Sequence, residues 1–280
     1  MQSPEFYASE YNAREMVPDH PRIFAEWDAR SRQARQELSA SLDLHYGPGQ
    51  AEKLDLFPAQ TPGGPLFVFI HGGYWRSLDK ADFSFVAPAL VAAGVSVAVV
   101  NYDLCPAVRI DQIVMQNVHA LAWLYREAGR FGYDGDRIHV GGHSAGGHLT
   151  AMMLCARFPD VAPDLPADLV KSGLAISGLY DLEPIMHAEF LNADLRLDRV
   201  QVERLSPAWM TPATSAPVIT AVGGEESSEF RRQTGLLGER WPRNLRADVP
   251  MPGFNHFTVV GQLAQPTSPL FQAAIELCGV

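Results

Sequence analysis

The chain has 280 residues, of which 47% are hydrophobic, and this is enough apolar material for a single α/β domain spanning residues 1–280. Its formal net charge of -10 argues against nucleic acid and anionic membranes as partners, because both bind basic surfaces. No apolar run reaches the length of a membrane span, and no basic stretch followed by an apolar core opens the chain, so we expect a cytoplasmic protein.

The first segment, about residues 1–41, mixes aromatic and charged residues. It predicts two helices, broken near Pro18 and Pro21, that form an N-terminal helical extension or cap. Residues 53–57 then alternate as a half-buried strand does, and the apolar run 66–70 is typical of a buried parallel strand. The chain therefore enters its sheet only after the helical extension.

Strands and helices alternate from there to the end of the chain. Because this alternation is typical of α/β proteins, we predict a mainly parallel central sheet flanked by helices on both faces. The predicted strands lie at about 95–100, 137–140, 173–176, 218–222 and 247–251, and the predicted helices at about 83–93, 111–129, 149–156, 228–240 and 269–278.

The region 179–214 interrupts the alternation with Pro184, Pro207 and Pro212 around an amphipathic middle. It predicts a cap-like insertion that could act as a lid. An ordinary long connection is the alternative, because the residues give no direct sign of movement.

The cysteines Cys105, Cys155 and Cys278 form neither a disulfide framework nor a C-x-x-C pair, so we interpret them as reduced thiols. The histidines and acidic residues also lack metal-ligand spacing. We therefore predict no metal and no cofactor.

Residues 142–146 read GHSAG, which matches the G-x-S-x-G nucleophile elbow with Ser144 at its centre. A short β run precedes the motif and an apolar helix follows it, as this sharp strand-to-helix turn requires. A glycine-rich turn with an incidental serine is the alternative. The context favours Ser144 as a catalytic nucleophile.

A serine nucleophile needs a base, and in this architecture the chain order is serine, then acid, then histidine. His256 follows the last predicted strand and precedes the last helix, so it is the candidate base rather than a structural histidine. The acid should lie in the loop after strand 218–222, which contains no aspartate. Glu225, Glu226 and Glu229 compete for that role, and Asp181 is a fourth candidate.

Acyl transfer also requires donors for the oxyanion, and Ala145, directly after the nucleophile, should provide one backbone N–H. The sequence HGG after the run 66–70 is an oxyanion-loop motif and assigns Gly72 and Gly73 to the same function. The next residues, Tyr74 and Trp75, would form an aromatic wall for substrate or, alternatively, pack against the N-terminal segment.

Together these stretches resemble the α/β-hydrolase fold and, within it, the kynurenine formamidase (arylformamidase) branch near the hormone-sensitive-lipase-like esterases. The matching stretches, in the family's order, are YNAR (11–14), HGGYW (71–75), NYDLCP (101–106), GHSAGGHL (142–149), YDLEP (180–184) and NHF (255–257). The family usually has an aspartate where GGEESSEF (223–230) has Glu226, which favours Glu226 over Glu225 as the acid.

The resemblance implies hydrolysis of N-formylkynurenine, a step of tryptophan degradation, through a formyl-serine intermediate and with a small molecule as the partner. A short-chain carboxylesterase is the alternative, since it would use the same residues. A non-catalytic hydrolase-like binding protein is a remote one, suggested only by the missing aspartate. A homodimer is left open.

Overall fold

The computed structural model describes residues 2–280 and has one eight-stranded sheet at its centre. The strands are β1 (Ser41–His45), β2 (Lys53–Phe57), β3 (Gly64–Ile70), β4 (Ser96–Val100), β5 (Tyr133–His143), β6 (Val170–Ile176), β7 (Val218–Gly223) and β8 (Leu245–Met251). The helices are α1 (Pro4–Tyr11), α2 (Ala13–Met16), α3 (His20–Glu37), α4 (Ala87–Ala92), α5 (Ile110–Phe131), α6 (Ala145–Cys155), α7 (Phe158–Val161), α8 (Glu183–His187), α9 (Glu189–Leu195), α10 (Arg199–Leu205), α11 (Ser228–Arg240) and α12 (Pro269–Cys278).

The strands lie in the order β1-β2-β4-β3-β5-β6-β7-β8. Only β2 is antiparallel to its neighbours, and the other adjacent pairs are parallel. The carboxyl ends of β3, β5, β6, β7 and β8 therefore meet along one edge of the sheet, which is where parallel α/β sheets bind ligands. The predicted mainly parallel α/β fold is confirmed.

The apolar run of β3 is continuous because both faces of the sheet are covered. Leu66 and Val68 belong to one buried cluster, together with side chains of α5 and α6. Phe67 and Phe69 point to the opposite face and join a second cluster with Trp27 of α3 and residues of α12. All four strand side chains are fully buried. Such burial on both faces is the rule for parallel sheets.

The N-terminal segment is helical, but its breaks differ from the prediction. The chain turns at Asn12 and again between Val17 and Asp19, so three helices form instead of two. Pro21 does not break a helix but occupies the first turn of α3, where a missing N–H costs nothing. The prediction of a break at Pro21 was therefore wrong.

Two other boundaries were also wrong. The predicted helix 83–93 is helical only from Ala87 to Ala92, and the residues before it form short 3-10 turns. Strand β1 was not predicted. It is short and lies at the sheet edge, where Leu42 is exposed and only Leu44, which is half-buried, packs against the core.

The region 179–214 contains three short helices, α8 to α10, and a 3-10 turn at Pro207–Trp209. One of its side chains, Asp194 of α9, pairs with Arg76 near the carboxyl edge of the sheet at 2.7 Å. This region thus lies beside the candidate site. Within residues 2–280, no helix is both long and apolar enough to cross a membrane.

Candidate active site

Ser144 occupies the turn between β5 and α6. Its backbone has φ 60° and ψ -117°, which places a residue other than glycine in an unfavourable region of positive φ. The Ser144 N–H donates to the Ile176 carbonyl of β6 at 2.8 Å, so this turn is tied to the neighbouring strand. The serine oxygen is thereby held at the carboxyl edge of the sheet.

Steric contacts explain why glycines occur at positions 142 and 146, on either side of Ser144. A Cβ at Gly146 would lie 1.9 Å from the carbonyl oxygen of Ile70, and a Cβ at Gly142 would lie 2.2 Å from the carbonyl oxygen of Gly146. Both distances are far below van der Waals contact, so any side chain at either position would push the helix away from the sheet. The two glycines of the motif therefore allow α6 to lie close to β3.

His256 lies in the loop after β8 and faces Ser144. Its Nε2 is 3.1 Å from the Ser144 Oγ, which is hydrogen-bond distance for a base and its nucleophile. The ring packs against Phe230, with the ring centroids 4.2 Å apart. The His256 side chain is only 5% exposed, so its orientation is fixed by packing as well as by hydrogen bonds.

Glu226 completes this chain of hydrogen bonds. Its Oε2 is 2.6 Å from Nδ1 of His256, and its side chain is fully buried. The second carboxylate oxygen, Oε1, accepts hydrogen bonds from Ser177 Oγ at 2.6 Å and from the Gly223 N–H at 2.7 Å. These two donors hold the carboxylate toward the imidazole, which is the function of the acid in a triad.

The three other acidic candidates lie elsewhere. Glu225 is exposed on the same loop. Glu229 accepts hydrogen bonds from Tyr11 and Arg232, and Asp181 lies 3.6 Å from that arginine. The structure therefore brings Glu226, and not these alternatives, to His256.

Ser177 has no counterpart in the sequence analysis. It directly follows β6, is fully buried and has φ 50°, and its hydroxyl hydrogen is committed to Glu226. A serine after a buried strand has no sequence signature of this kind. Its position beside the acid emerges only when β6 and β7 pair.

Removing the Ser177 hydroxyl should loosen the acid. A hydrogen bond to a charged group contributes roughly 1.5–3 kcal/mol, and the Gly223 N–H still holds the same oxygen, so we expect Ser177→Ala to lower kcat about tenfold. KM should remain unchanged, because Ser177 does not line the substrate cavity. Steady-state kinetics test this against Ser206→Ala, another fully buried serine that bonds Leu182 instead. A rise in KM with unchanged kcat would contradict the positioning role.

The three predicted oxyanion donors surround the elbow. Ala145 is the first residue of α6, and the loop with Gly72 and Gly73 follows β3. An ideal Cβ on Gly72 would lie 3.1 Å from the Ser144 Cβ, so this loop runs directly beside the nucleophile. Among residues 2–280, the N–H groups of Gly72, Gly73 and Ala145 find no hydrogen-bond acceptor. Unpaired amides beside a nucleophile are what an oxyanion requires.

A cavity of about 300 Å³ opens onto Ser144 and His256. This volume is at the small end of ligand sites and suits a molecule with one aromatic ring. Its walls are strongly aromatic, and the N-terminal segment provides much of them. The lining aromatic residues are Tyr11, Phe24, Trp27, Tyr74, Phe190 and Phe257.

The two aromatic residues predicted to bind substrate, Tyr74 and Trp75, lie in different environments. Tyr74 lines the cavity, and its hydroxyl donates to the Tyr11 carbonyl at 2.7 Å, so it both faces the site and anchors the N-terminal segment. Trp75 is fully buried, packs edge-on against His148 and does not line the cavity. The prediction of Trp75 as a substrate contact is wrong, because its side chain packs in the core; the backbone has positive φ at both residues.

His143 also packs against the ring of His256, but its role differs from that of the triad residues. Its Nε2 is 2.8 Å from the His256 carbonyl oxygen. Burial, and to a lesser degree the neighbouring His256, holds the pKa of His143 well below its ordinary value. His143 is therefore neutral, and its N–H fixes the backbone of the loop that carries the base.

Burial raises the pKa of all three cysteine thiols, that of Cys105 to about 11 and those of Cys155 and Cys278 to about 12. A protonated thiol is a poor nucleophile, so these three cysteines are poorly suited to catalysis. In the described part of the chain, no three His, Cys, Asp or Glu side chains lie close enough to hold a metal ion.

Comparison with known proteins identifies related sequences. The family model described as BD-FAE matches residues 54–159. Kynurenine formamidases from Salmo salar and Danio rerio are 29% and 27% identical to the chain, and each alignment covers 99% of this chain and 94% of the relative. The esterase LipC of Mycobacterium tuberculosis is 30% identical over 75% of this chain and 58% of its own length.

Two solved structures are also similar to this chain. A protein from Silicibacter sp. TM1040, described as a candidate thioesterase, is 34% identical with a TM-score of 0.85 and covers 94% of this chain and 97% of its own. Esterase B of Lactobacillus rhamnosis, at 18% identity and a TM-score of 0.73, shares the fold over 95% of this chain and 96% of its own. The chain therefore belongs to the α/β-hydrolase family, and it is similar along nearly its whole length to the kynurenine formamidases of that family.

Proposed function

We propose that the protein is a cytoplasmic arylformamidase that hydrolyses N-formylkynurenine through a formyl-enzyme on Ser144. The observation that carries the proposal is the small aromatic-walled cavity that opens onto Ser144, since it accommodates one aryl ring beside the nucleophile. The full-length similarity to kynurenine formamidases supports the formyl group as the acyl part of the substrate.

In the first half of the reaction, Nε2 of His256 takes the Ser144 proton while Oγ attacks the formyl carbon. The negative charge that forms on the formyl oxygen is stabilised by the N–H groups of Gly72, Gly73 and Ala145. Glu226 stabilises the imidazolium through Nδ1. His256 then gives its proton to the anilide nitrogen, the C–N bond breaks and the aryl amine leaves.

In the second half, His256 removes a proton from a water molecule, and the resulting hydroxide attacks the formyl ester. The tetrahedral intermediate collapses with protonation of Ser144 Oγ, which releases formate and restores the enzyme. Every proton in this cycle moves through one imidazole. The same residue therefore acts as base and as acid in both halves of the proposed reaction.

The test is a comparison of kcat/KM for N-formylkynurenine and for phenyl acetate with the purified protein. We expect the formamide to be the better substrate. A carboxylesterase is the second candidate, favoured by the similarity to LipC and to esterase structures. Equal or faster turnover of phenyl acetate, with negligible turnover of N-formylkynurenine, would establish the esterase instead.

A further inference from the structure

We propose that Arg14 is a carboxylate-binding residue of the active-site cavity, which selects aryl substrates whose side chain carries a carboxylate. This inference rests on the proposed function for the reaction but concerns a different part of the substrate. It assigns a role in specificity to the N-terminal segment, whose residues supply one wall of the cavity.

The charges of the cavity point to an anion. Three charged side chains line it, namely Arg14, Arg76 and Asp194. Arg76 donates to the Asp194 carboxylate and to the Phe190 carbonyl, both at 2.7 Å, so this pair is satisfied and nearly neutral. Arg14 has no carboxylate within ion-pair distance anywhere in residues 2–280. The cavity thus has one uncompensated positive charge.

The charge of the cavity lining has the opposite sign to that of the whole chain. The chain has a formal net charge of -10, with 32 acidic and 22 basic side chains, whereas the charged residues of the lining are two arginines and one aspartate. Eleven ion pairs in the described residues use an arginine, and none of them uses Arg14. An arginine left without a partner at the mouth of a catalytic cavity is suited to a ligand carboxylate, which its guanidinium can bind through two parallel hydrogen bonds.

The backbone that carries Arg14 is fixed from the preceding residues. Tyr11 is fully buried, and its hydroxyl donates to Glu229 at 2.7 Å and accepts from Gln233 at 3.0 Å. Its carbonyl accepts the Tyr74 hydroxyl at 2.7 Å. The segment is therefore pinned both to α11 and to the oxyanion loop. A binding group on a rigid support loses less freedom on binding than one on a mobile terminus.

The surroundings of the guanidinium complete the site. Its carbon lies 5.7 Å from the centroid of the Phe24 ring, and Phe24 also lines the cavity. An aryl substrate that packs among these aromatic side chains, with its reacting group at Ser144, has its ring substituents directed toward the cavity walls. A carboxylate on such a substituent would meet Arg14, whereas a neutral substituent would gain nothing there. N-formylkynurenine carries such a carboxylate, because its side chain ends in an α-carboxylate.

The experiment compares Arg14→Gln with wild type on two aryl formamides, N-formylkynurenine and the uncharged 2-formamidoacetophenone. We expect kcat/KM for the carboxylate-bearing substrate to fall at least tenfold, mainly through KM, and kcat/KM for the one without a carboxylate to change less than twofold. Arg14→Lys should restore part of the lost affinity, because it keeps the charge without the planar fork. Arg32→Gln is the matched control, since it removes an exposed positive charge that pairs with Asp28 outside the cavity.

Equal losses on both substrates, or no loss on either, would overturn the role of Arg14. A second substrate pair separates this outcome from failure of the proposed function. It consists of 3-(2-acetoxyphenyl)propanoate and the corresponding uncharged propanamide, which any serine esterase with this cavity could cleave. If wild type cleaves the esters but not the formamides, the proposed function fails, while a selective loss on the propanoate in Arg14→Gln still supports the carboxylate site.

Discussion

Ser144→Ala is expected to lower kcat on N-formylkynurenine by about six orders of magnitude, because loss of the nucleophile disables the triad as a unit. His256 would then face a methyl group and have no Oγ proton to remove. Some activity over the uncatalysed reaction should remain, since the N–H groups of the oxyanion loop and the cavity are intact. The effect appears in kcat from steady-state kinetics with formate or kynurenine as the measured product.

Two measurements accompany this prediction. A fluorophosphonate probe should label wild type stoichiometrically and leave Ser144→Ala unlabelled, whereas Ser206→Ala, a change at another fully buried serine, should label like wild type. The thermal unfolding midpoint of Ser144→Ala should stay close to that of wild type. Turnover by a folded Ser144→Ala at the wild-type rate would refute the assignment of the nucleophile and, with it, the proposed mechanism.

Glu226→Gln is expected to lower kcat by about four orders of magnitude while leaving the fold intact. The environment determines how the new amide must lie. Oε1 accepts from Ser177 Oγ and from the Gly223 N–H, so the amide carbonyl occupies that side and the NH₂ faces His256 Nδ1. Nδ1 must then accept a hydrogen bond, which places the imidazole proton on Nε2. A protonated Nε2 cannot take the proton from Ser144.

The matched control for this variant is Glu225→Gln, an identical change one residue away at an exposed position. It should retain wild-type kcat, and so should Asp181→Asn, whose carboxylate lies beside Arg232 and not beside the base. Measured on one substrate, the three variants identify the acid independently of the distances. A large loss in Asp181→Asn with near-normal Glu226→Gln would transfer the role to Asp181.

The choice of glutamate has a geometric basis in this protein. Ser177 and Gly223 both direct hydrogen bonds at the same carboxylate oxygen, so the longer side chain is held in one orientation at the point where it meets His256. The glutamate at this position is thus compatible with a complete triad. The absence of an aspartate therefore no longer supports the alternative of a non-catalytic binding protein.

The N-terminal segment shows what a local residue pattern can and cannot predict. Its helical character follows from the sequence, but its role does not. Tyr11 is bonded to Glu229 and Gln233, more than 200 positions later in the chain, and this contact makes the segment a wall of the cavity. The YNAR stretch was visible as a family resemblance, yet no periodicity indicates which surface a helical extension will cover.

The mainly parallel α/β fold, the candidate nucleophile and base, and the candidate glycines of the oxyanion loop could all be predicted from the residues alone. Each of these depends on short-range requirements: apolar periodicity, a turn that only glycines permit, and a chain order set by successive strands. Only long-range packing shows which of four acidic residues reaches His256, that Ser177 holds the acid, and that Trp75 packs in the core while Tyr74 lines the cavity. These outcomes depend on contacts between parts of the chain that are distant in sequence, such as the pairing of β6 with β7, and such contacts leave no residue pattern along the chain.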